Sequence, residues 1–264
     1  MRRDETPVTP APGFGVLLRR WRERRRYSQL ALAHTAEVSP RHLSWLENHK
    51  SAPSRAMVLR LAEHLEVPLR ERNAWLRAAG FAPLYREQPL DATVLASVQA
   101  LLDAHLPALA IAVDRHWQLV AANAMLPALL QGVDPALLAP PVNVLRIALH
   151  PRGLAPAIAN LPAWRGHVLQ RLRRQAEAAG DPVLQALHDE LAAWGPADDE
   201  GLDADAVALP LRLHTPAGEL SLISTLTVFG APHDIQLSEL ALETFLPADA
   251  ATAEALRRLA ASLS

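Results

Sequence analysis

Once the proline-rich start of the chain is passed, apolar residues recur at helical spacing. Phe14, Leu17, Leu18 and Trp21 fall at i, i+3, i+4 and i+7, on one face, while Arg19, Arg20, Arg22 and Arg24 to Arg26 point elsewhere. Ser28 is placed to cap a second helix, Gln29 to Thr35. Ser39 followed by Pro40 predicts the start of a third: a hydroxyl that accepts a free backbone N–H, then proline at the first helical position. After Ser51-Ala52-Pro53-Ser54 a fourth helix carries Val58, Leu61, Ala62 and Leu65 on one face, and a fifth opens at Pro68 and ends at Gly80. Five short helices in succession predict a compact bundle. Pro83 to Pro89 reads as a linker.

The pattern then becomes mixed. Val94 to Leu106 reads as a helix. Ala108 to Val113 and Trp117 to Ala121 are apolar runs around Asp114-Arg115-His116, which predicts a hairpin, with Asn123 capping a helix to Leu130. Asn160 to Glu177 and Val183 to Trp194 are the clearest later helices, and the acidic stretch Asp198 to Asp205 reads as a solvated loop. Period two follows: Val207, Leu209, Leu211 and Leu213 share a face, Thr215 to Gly218 make a turn, and Leu220, Leu222, Leu226 and Val228 share the face of the return strand. Leu237 to Leu246 predicts a third strand, and Asp249 a cap for a closing helix through Leu259. Three long antiparallel strands imply a sheet with helices on one side.

Composition narrows the chemistry. The chain has 264 residues, half of them apolar and a fifth charged, which suits two globular domains. It has no cysteine, which removes disulfides, thiolate catalysis and thiolate metal sites. The opening MRRDETPVTPAPG has no apolar core segment, so no signal peptide is read, and the uncharged run His116 to Val133 is broken by Asn123, Pro127 and Gly132; the expectation is a cytoplasmic protein without a membrane partner. The net charge of −2 hides an asymmetry. Through Gln88 there are 16 basic and 9 acidic residues, and from Pro89 onward 10 and 19. A basic first part joined to an acidic second part points to a polyanion met by the first alone.

The spacing from Ser28 to Glu47 supplies the polyanion. Two short helices separated by Ala36-Glu37-Val38-Ser39 have helix-turn-helix spacing, in which the second helix enters the major groove. In this reading Pro40 to Glu47 is the recognition helix and its outward residues are Arg41, His42 and Ser44. Arg41 suits a bidentate pair with guanine or a phosphate contact. Ser39 caps the helix. Trp45 has two readings, stacking at the DNA or core beside Leu46, with core the commoner use. Gln29, Lys50 and Arg55 are assigned to the DNA backbone. The segment SQLALAHTAEVSPRHLSWLENHKSAPSRAMVLRLAEHL resembles the xenobiotic-response-element type of helix-turn-helix domain, the five-helix relative of phage repressors, over residues 13–80. Glu37 stands where that family often places glycine, which puts a side chain at a position favouring positive φ.

The second part shows no nucleophile elbow, HExxH or phosphate loop, and its seven histidines lie far apart, so neither an enzyme nor a metal site is read. The run AVDRHWQLVAANAM resembles the opening of PAS-type sensor domains. Together with PPVNVLRIALHPRGLAPAIANLPAW and TPAGELSLISTLTVFGAPHDIQLSELALETFLPADAATAEAL, it resembles the ligand-binding domain of MmyB-like transcription regulators over about residues 93–258. The resemblance implies a PAS-like α+β fold holding an apolar ligand such as a fatty acid. On the residues themselves, Arg146 and His150 at i, i+4 are placed to hold a carboxylate; alternatively Arg146 pairs with Glu239 or Glu243 and His150 caps a turn. Asn143 opens the same segment. Trp117, Trp164 and Phe245 are candidates for the pocket wall or for ordinary core. Thr225 and Thr227 point away from Leu226, so the face that meets the helices decides their role.

The expectation is therefore a tail at 1–12, an all-α helix-turn-helix bundle at 13–83, a linker at 84–92, and an α+β PAS-like domain with an antiparallel sheet at 93–264. The function read is a homodimeric transcriptional regulator, a repressor, that binds a duplex operator and senses an apolar or fatty-acid-like molecule, with no cofactor. The alternative is a constitutive DNA-binding protein whose second domain is a dimerisation or partner platform.

Overall fold

A computed structural model describes residues 12–196, 208–230 and 234–263. Its contacts divide the chain into two compact units, with the main break after Glu87; of the later described residues, Asp234 and Ile235 group with the first unit. The first holds α1 (Phe14–Arg24), α2 (Gln29–Thr35), α3 (Pro40–Glu47), α4 (Arg55–His64) and α5 (Leu69–Ala78). The break falls inside the stretch read as a linker. Asn73, buried on α5, accepts from the backbone N–H groups of Leu84 and Tyr85 and donates to the Tyr85 carbonyl, which ties those two residues back to the bundle.

Local chemistry sets the helix starts. Ser28, Ser39 and Ser54 accept from the N–H of Ala31, His42 and Met57 at 3.0, 3.2 and 3.2 Å, each satisfying one free donor of a first turn. The helix ends share another device. Arg26, Glu37, His49, Glu66 and Gly80 lie just past α1 to α5 and all have positive φ. The next residue in each case donates back five positions, as Val38 does to Ala33 and Phe81 to Leu76. This is the left-handed helix stop, in which glycine is the unstrained residue. Only Gly80 is one. The pattern accounts for Glu37, whose φ is 53°. Replacing Glu37 with glycine is expected to stabilise the first unit by about 0.5–1 kcal/mol, the relief of Cβ strain less the added freedom of the unfolded chain. A urea titration reads it directly; an unchanged or lower midpoint counts against the strain.

The core of the first unit is Phe14, Leu18 and Trp21 of α1 with Leu32, Leu43, Leu61, Trp75 and neighbours. Arg22 departs from the sequence expectation. It does not point outward but is buried, forked onto Glu47 at 2.6 and 3.0 Å.

The second unit is built on a five-stranded antiparallel sheet of order β2-β1-β5-β4-β3: β1 (Leu109–Val113), β2 (Leu119–Ala122), β3 (Leu211–Thr215), β4 (Gly218–Val228) and β5 (Ala241–Pro247). The helices are α6 (Ala92–Asp103), α7 (Leu126–Leu129), α8 (Val144–Leu149), α9 (Leu161–Ala179), α10 (Pro182–Ala192), the turn α11 (Ile235–Ser238) and α12 (Ala250–Ala261). Helices are not confined to one side. Leu109, Ile111, Val113, Leu211, Leu213, Leu222 and Phe245 face one core with Trp164, Val168 and Leu172 of α9. Ala110, Ala112 and Leu242 on the opposite face pack against Val98 and Leu102 of α6.

Three other readings are corrected. The third long strand begins at Ala241, not Leu237; Leu237 and Leu240 are three apart and pack with α6, a helical spacing that the apolar run concealed. Asn123 does not start a helix: its buried amide donates to the Leu102 and Ala108 carbonyls, and α7 begins after Met125. Trp117 lies in the β1–β2 turn, outside the strand, with φ 64°. The acidic loop Asp198–Asp205 and Val207 lie outside the described residues. Asp249 does cap α12, accepting from Thr252 N–H at 2.7 Å.

Candidate DNA interface and ligand cavity

Packing from below fixes the recognition helix. Gly15 of α1 lies so close to the end of α3 that a methyl group there would collide with the carbonyls of Leu46 and Glu47. Leu43 and Leu46 are buried. Glu47, at the last turn, gathers three donors: the Arg22 fork and the Gln29 amide at 2.7 Å. Arg22 in turn donates to the Tyr27 carbonyl, so one buried group ties α1, the turn before α2, and α3 together.

The outward face of α3 is polar. Arg41 is exposed, His42 and Ser44 are half-buried, and Ser39 caps the first turn. Trp45 is not core: it is 38% exposed, and the Arg41 guanidinium sits 4.5 Å from its ring centroid. The cation–π contact holds Arg41 over the helix. Lys50 and Arg55 are exposed after α3 and at the start of α4. Gln29 uses its amide on Glu47, a role within the bundle that its place in the sequence did not reveal. Asn48 was missed; its exposed amide donates to the Ser44 carbonyl at the end of the same helix.

The second unit contains a cavity of about 80 Å³ between the sheet and α7, α8 and α9. Its wall is aliphatic apart from Trp164, Phe245 and two charged side chains, Arg171 of α9 and Glu243 of β5. Arg171 donates to Glu243 at 2.8 Å, and Ser224 of β4 donates to the same oxygen at 2.6 Å. The Glu243 side chain is only 3% exposed. Trp117 lies behind the pair, its ring 4.4 Å from the Arg171 guanidinium and its N–H bonded to Gln175 at 2.9 Å. The positive φ of Trp117 thus sits beside the polar end of the cavity. His167, stacked on Trp164, has its pKa lowered by burial and further by Arg171 and Arg174.

Trp164 and Phe245 therefore line the cavity, and Trp117 supports it from outside. The other candidates lie elsewhere. Arg146 is not among the lining residues; it forks onto Glu190 of α10 at 2.8 and 2.7 Å, with the two side chains 41% and 37% exposed. That hydrogen bond pushes its pKa up. The pairing takes neither Glu239 nor Glu243, because α8 packs beside α10. His150 follows the last turn of α8, accepts from the Arg152 N–H and sets its ring edge-on to Trp194. Asn143 is the α8 cap, accepting from Arg146 N–H and donating to the His116 carbonyl. Thr225 and Thr227 are exposed on the face opposite Glu243 and Phe245, because Ser224 and Leu226 are the residues in register with those two.

Arg171 and Glu243 were the sites missed, and a signal for them exists. Trp164, Val168 and Arg171 fall at i, i+4 and i+7, so an arginine occupies an apolar stripe. Ala241, Glu243 and Phe245 likewise put a carboxylate on the inward face of a strand. Elsewhere, Arg165 is buried with its Nε unpartnered, and burial pushes its pKa down.

Among the described residues no helix is long and apolar enough to cross a membrane, and no cluster of three or more metal-binding side chains occurs. A helix-turn-helix bundle with an exposed polar face on α3, joined to an α+β unit with an apolar cavity, defines a DNA-binding transcription regulator rather than an enzyme. The family models agree. Residues 14–75 match a helix-turn-helix domain, and residues 94–259 match the MmyB-like transcription regulator ligand binding domain. The chain belongs to the MmyB-like transcription regulators. Among curated proteins none matches it.

Proposed function

We propose that this regulator is a cytoplasmic repressor that binds a two-fold operator as a homodimer and changes its DNA affinity when an apolar molecule with a fatty-acid-like alkyl chain enters the cavity of the second unit. The observation that carries the reading is the pairing of an exposed, arginine-bearing α3 in a basic unit with an enclosed aliphatic cavity in an acidic one. The dimer is supported by size, since one short reading helix buries too little surface for strong operator preference. Half-sites then lie about one helical turn apart. The repressor role rests on the five-helix resemblance to phage repressors.

Arg41 is the base-reading residue and Lys50 a phosphate contact. Arg41→Ala is expected to weaken the specific site by roughly 1–3 kcal/mol and relax one base position. Lys50→Ala is expected to weaken all sequences alike and lower the salt slope by about 1. Gel shifts on a selected operator at several salt concentrations measure both. Unchanged binding by both variants removes α3 as the recognition helix.

A further inference from the structure

The cavity joins a nearly unbroken aliphatic wall to a polar end that already contains its own counter-charge. We infer that the cavity selects ligands with an uncharged, hydrogen-bond-accepting head, such as an amide, an ester or an alcohol, on a short alkyl chain, and that it discriminates against the free carboxylate.

This inference rests on the reading of the second unit as a ligand sensor and specifies what it senses. Arg171 is the cation at the wall, and its charge is matched by Glu243, held at 2.8 Å and steadied by Ser224. The pair sums to zero, and Glu243 is 97% buried at the side chain (3% exposed), so water does little to screen it. A ligand carboxylate brought to Arg171 comes beside the Glu243 carboxylate, and like charges sharing a dry site disfavour one another. A neutral acceptor meets no such repulsion. It also finds a donor, because Nε of Arg171 is buried without a partner. The guanidinium cannot easily turn away, since Trp117 covers one face at 4.4 Å and is itself held by Gln175.

Chain length follows from volume. A water-sized group needs roughly 10–15 Å³ on this scale, so about 80 Å³ accommodates on the order of six such groups.

The test compares butanamide, 1-butanol and butanoate on the full chain by isothermal titration, with native mass spectrometry to confirm one bound molecule. Butanamide and butanol are expected to bind, and butanoate at least ~10-fold more weakly than butanamide. Glu243→Gln keeps the shape and hydrogen bonds of the side chain but leaves Arg171 positively charged, so it is expected to reverse the order. Butanoate binding the wild type as tightly as butanamide overturns the selectivity while leaving the sensor reading in place. Absence of binding by all three at millimolar concentration overturns both. If Glu243→Gln does not fold, the wild-type comparison decides alone.

Discussion

Arg22→Met is expected to destabilise the helix-turn-helix unit by about 3–5 kcal/mol, the usual cost of leaving one partner of a buried ion pair behind. Glu47 is the group left behind. In the native unit it receives the Arg22 fork and the Gln29 amide; in the variant only the amide remains for a carboxylate that is 1% exposed at its side chain. Small domains are stable by only about 5–15 kcal/mol, so the loss takes a large part of the total. DNA affinity is expected to fall with it, because Glu47 ends α3, the helix proposed to read the operator. The double variant Arg22→Met with Glu47→Leu is expected to recover most of the stability, since removing both charges removes the stranded one. Urea unfolding of the three proteins followed by helical circular dichroism measures this. A single-variant loss below about 1 kcal/mol would place the pair energetically at the surface.

Ala148→Phe is expected to abolish ligand-linked stabilisation of the second unit. Ala148 lies on α8 with its side chain at the cavity wall, where a phenyl ring takes up most of the roughly 80 Å³. A ligand bound to the folded state alone, at 100 times its dissociation constant, stabilises by about 2.7 kcal/mol. With butanamide the wild type should show that rise in melting temperature with concentration, and the variant none. Overpacking itself costs about 1–3 kcal/mol, so the comparison is the slope with ligand, not the starting melting temperature. A variant that retains the full rise would place the binding site outside this cavity.

The first expectation turns on charged side chains whose burial could not be read locally. The arginine count of α1 marked a basic helix, and five of its neighbours do stay at the surface or half-buried, yet Arg22 packs inward because Glu47, 25 residues away, arrives beside it. Arg146 and Arg171 show the same ambiguity in the second unit. Both lie on helices and near apolar residues. The one in the segment most like a ligand domain faces Glu190 at the surface, and the one hidden in a long amphipathic helix lines the cavity. Trp45 failed in the opposite sense: an indole beside a core leucine reads as core, but α3 has too narrow a buried face to include both, and Arg41 covers the ring instead.

The sequence by itself determined the helix starts at Ser28, Ser39 and Ser54, the helix-turn-helix spacing, the Thr215–Gly218 hairpin and the cap at Asp249. All of these are settled by groups within about five residues of one another, whose hydrogen bonds and φ values are local matters. Only the tertiary structure decided which sheet face meets α9, that α6 covers the other face, that Thr225 and Thr227 face away from the cavity, and that Arg171 rather than Arg146 stands at its wall. A side chain's neighbours across a sheet or between helices depend on register and packing between distant segments, as with Arg171 and Glu243, which are separated by 72 positions. No local pattern carries that distance.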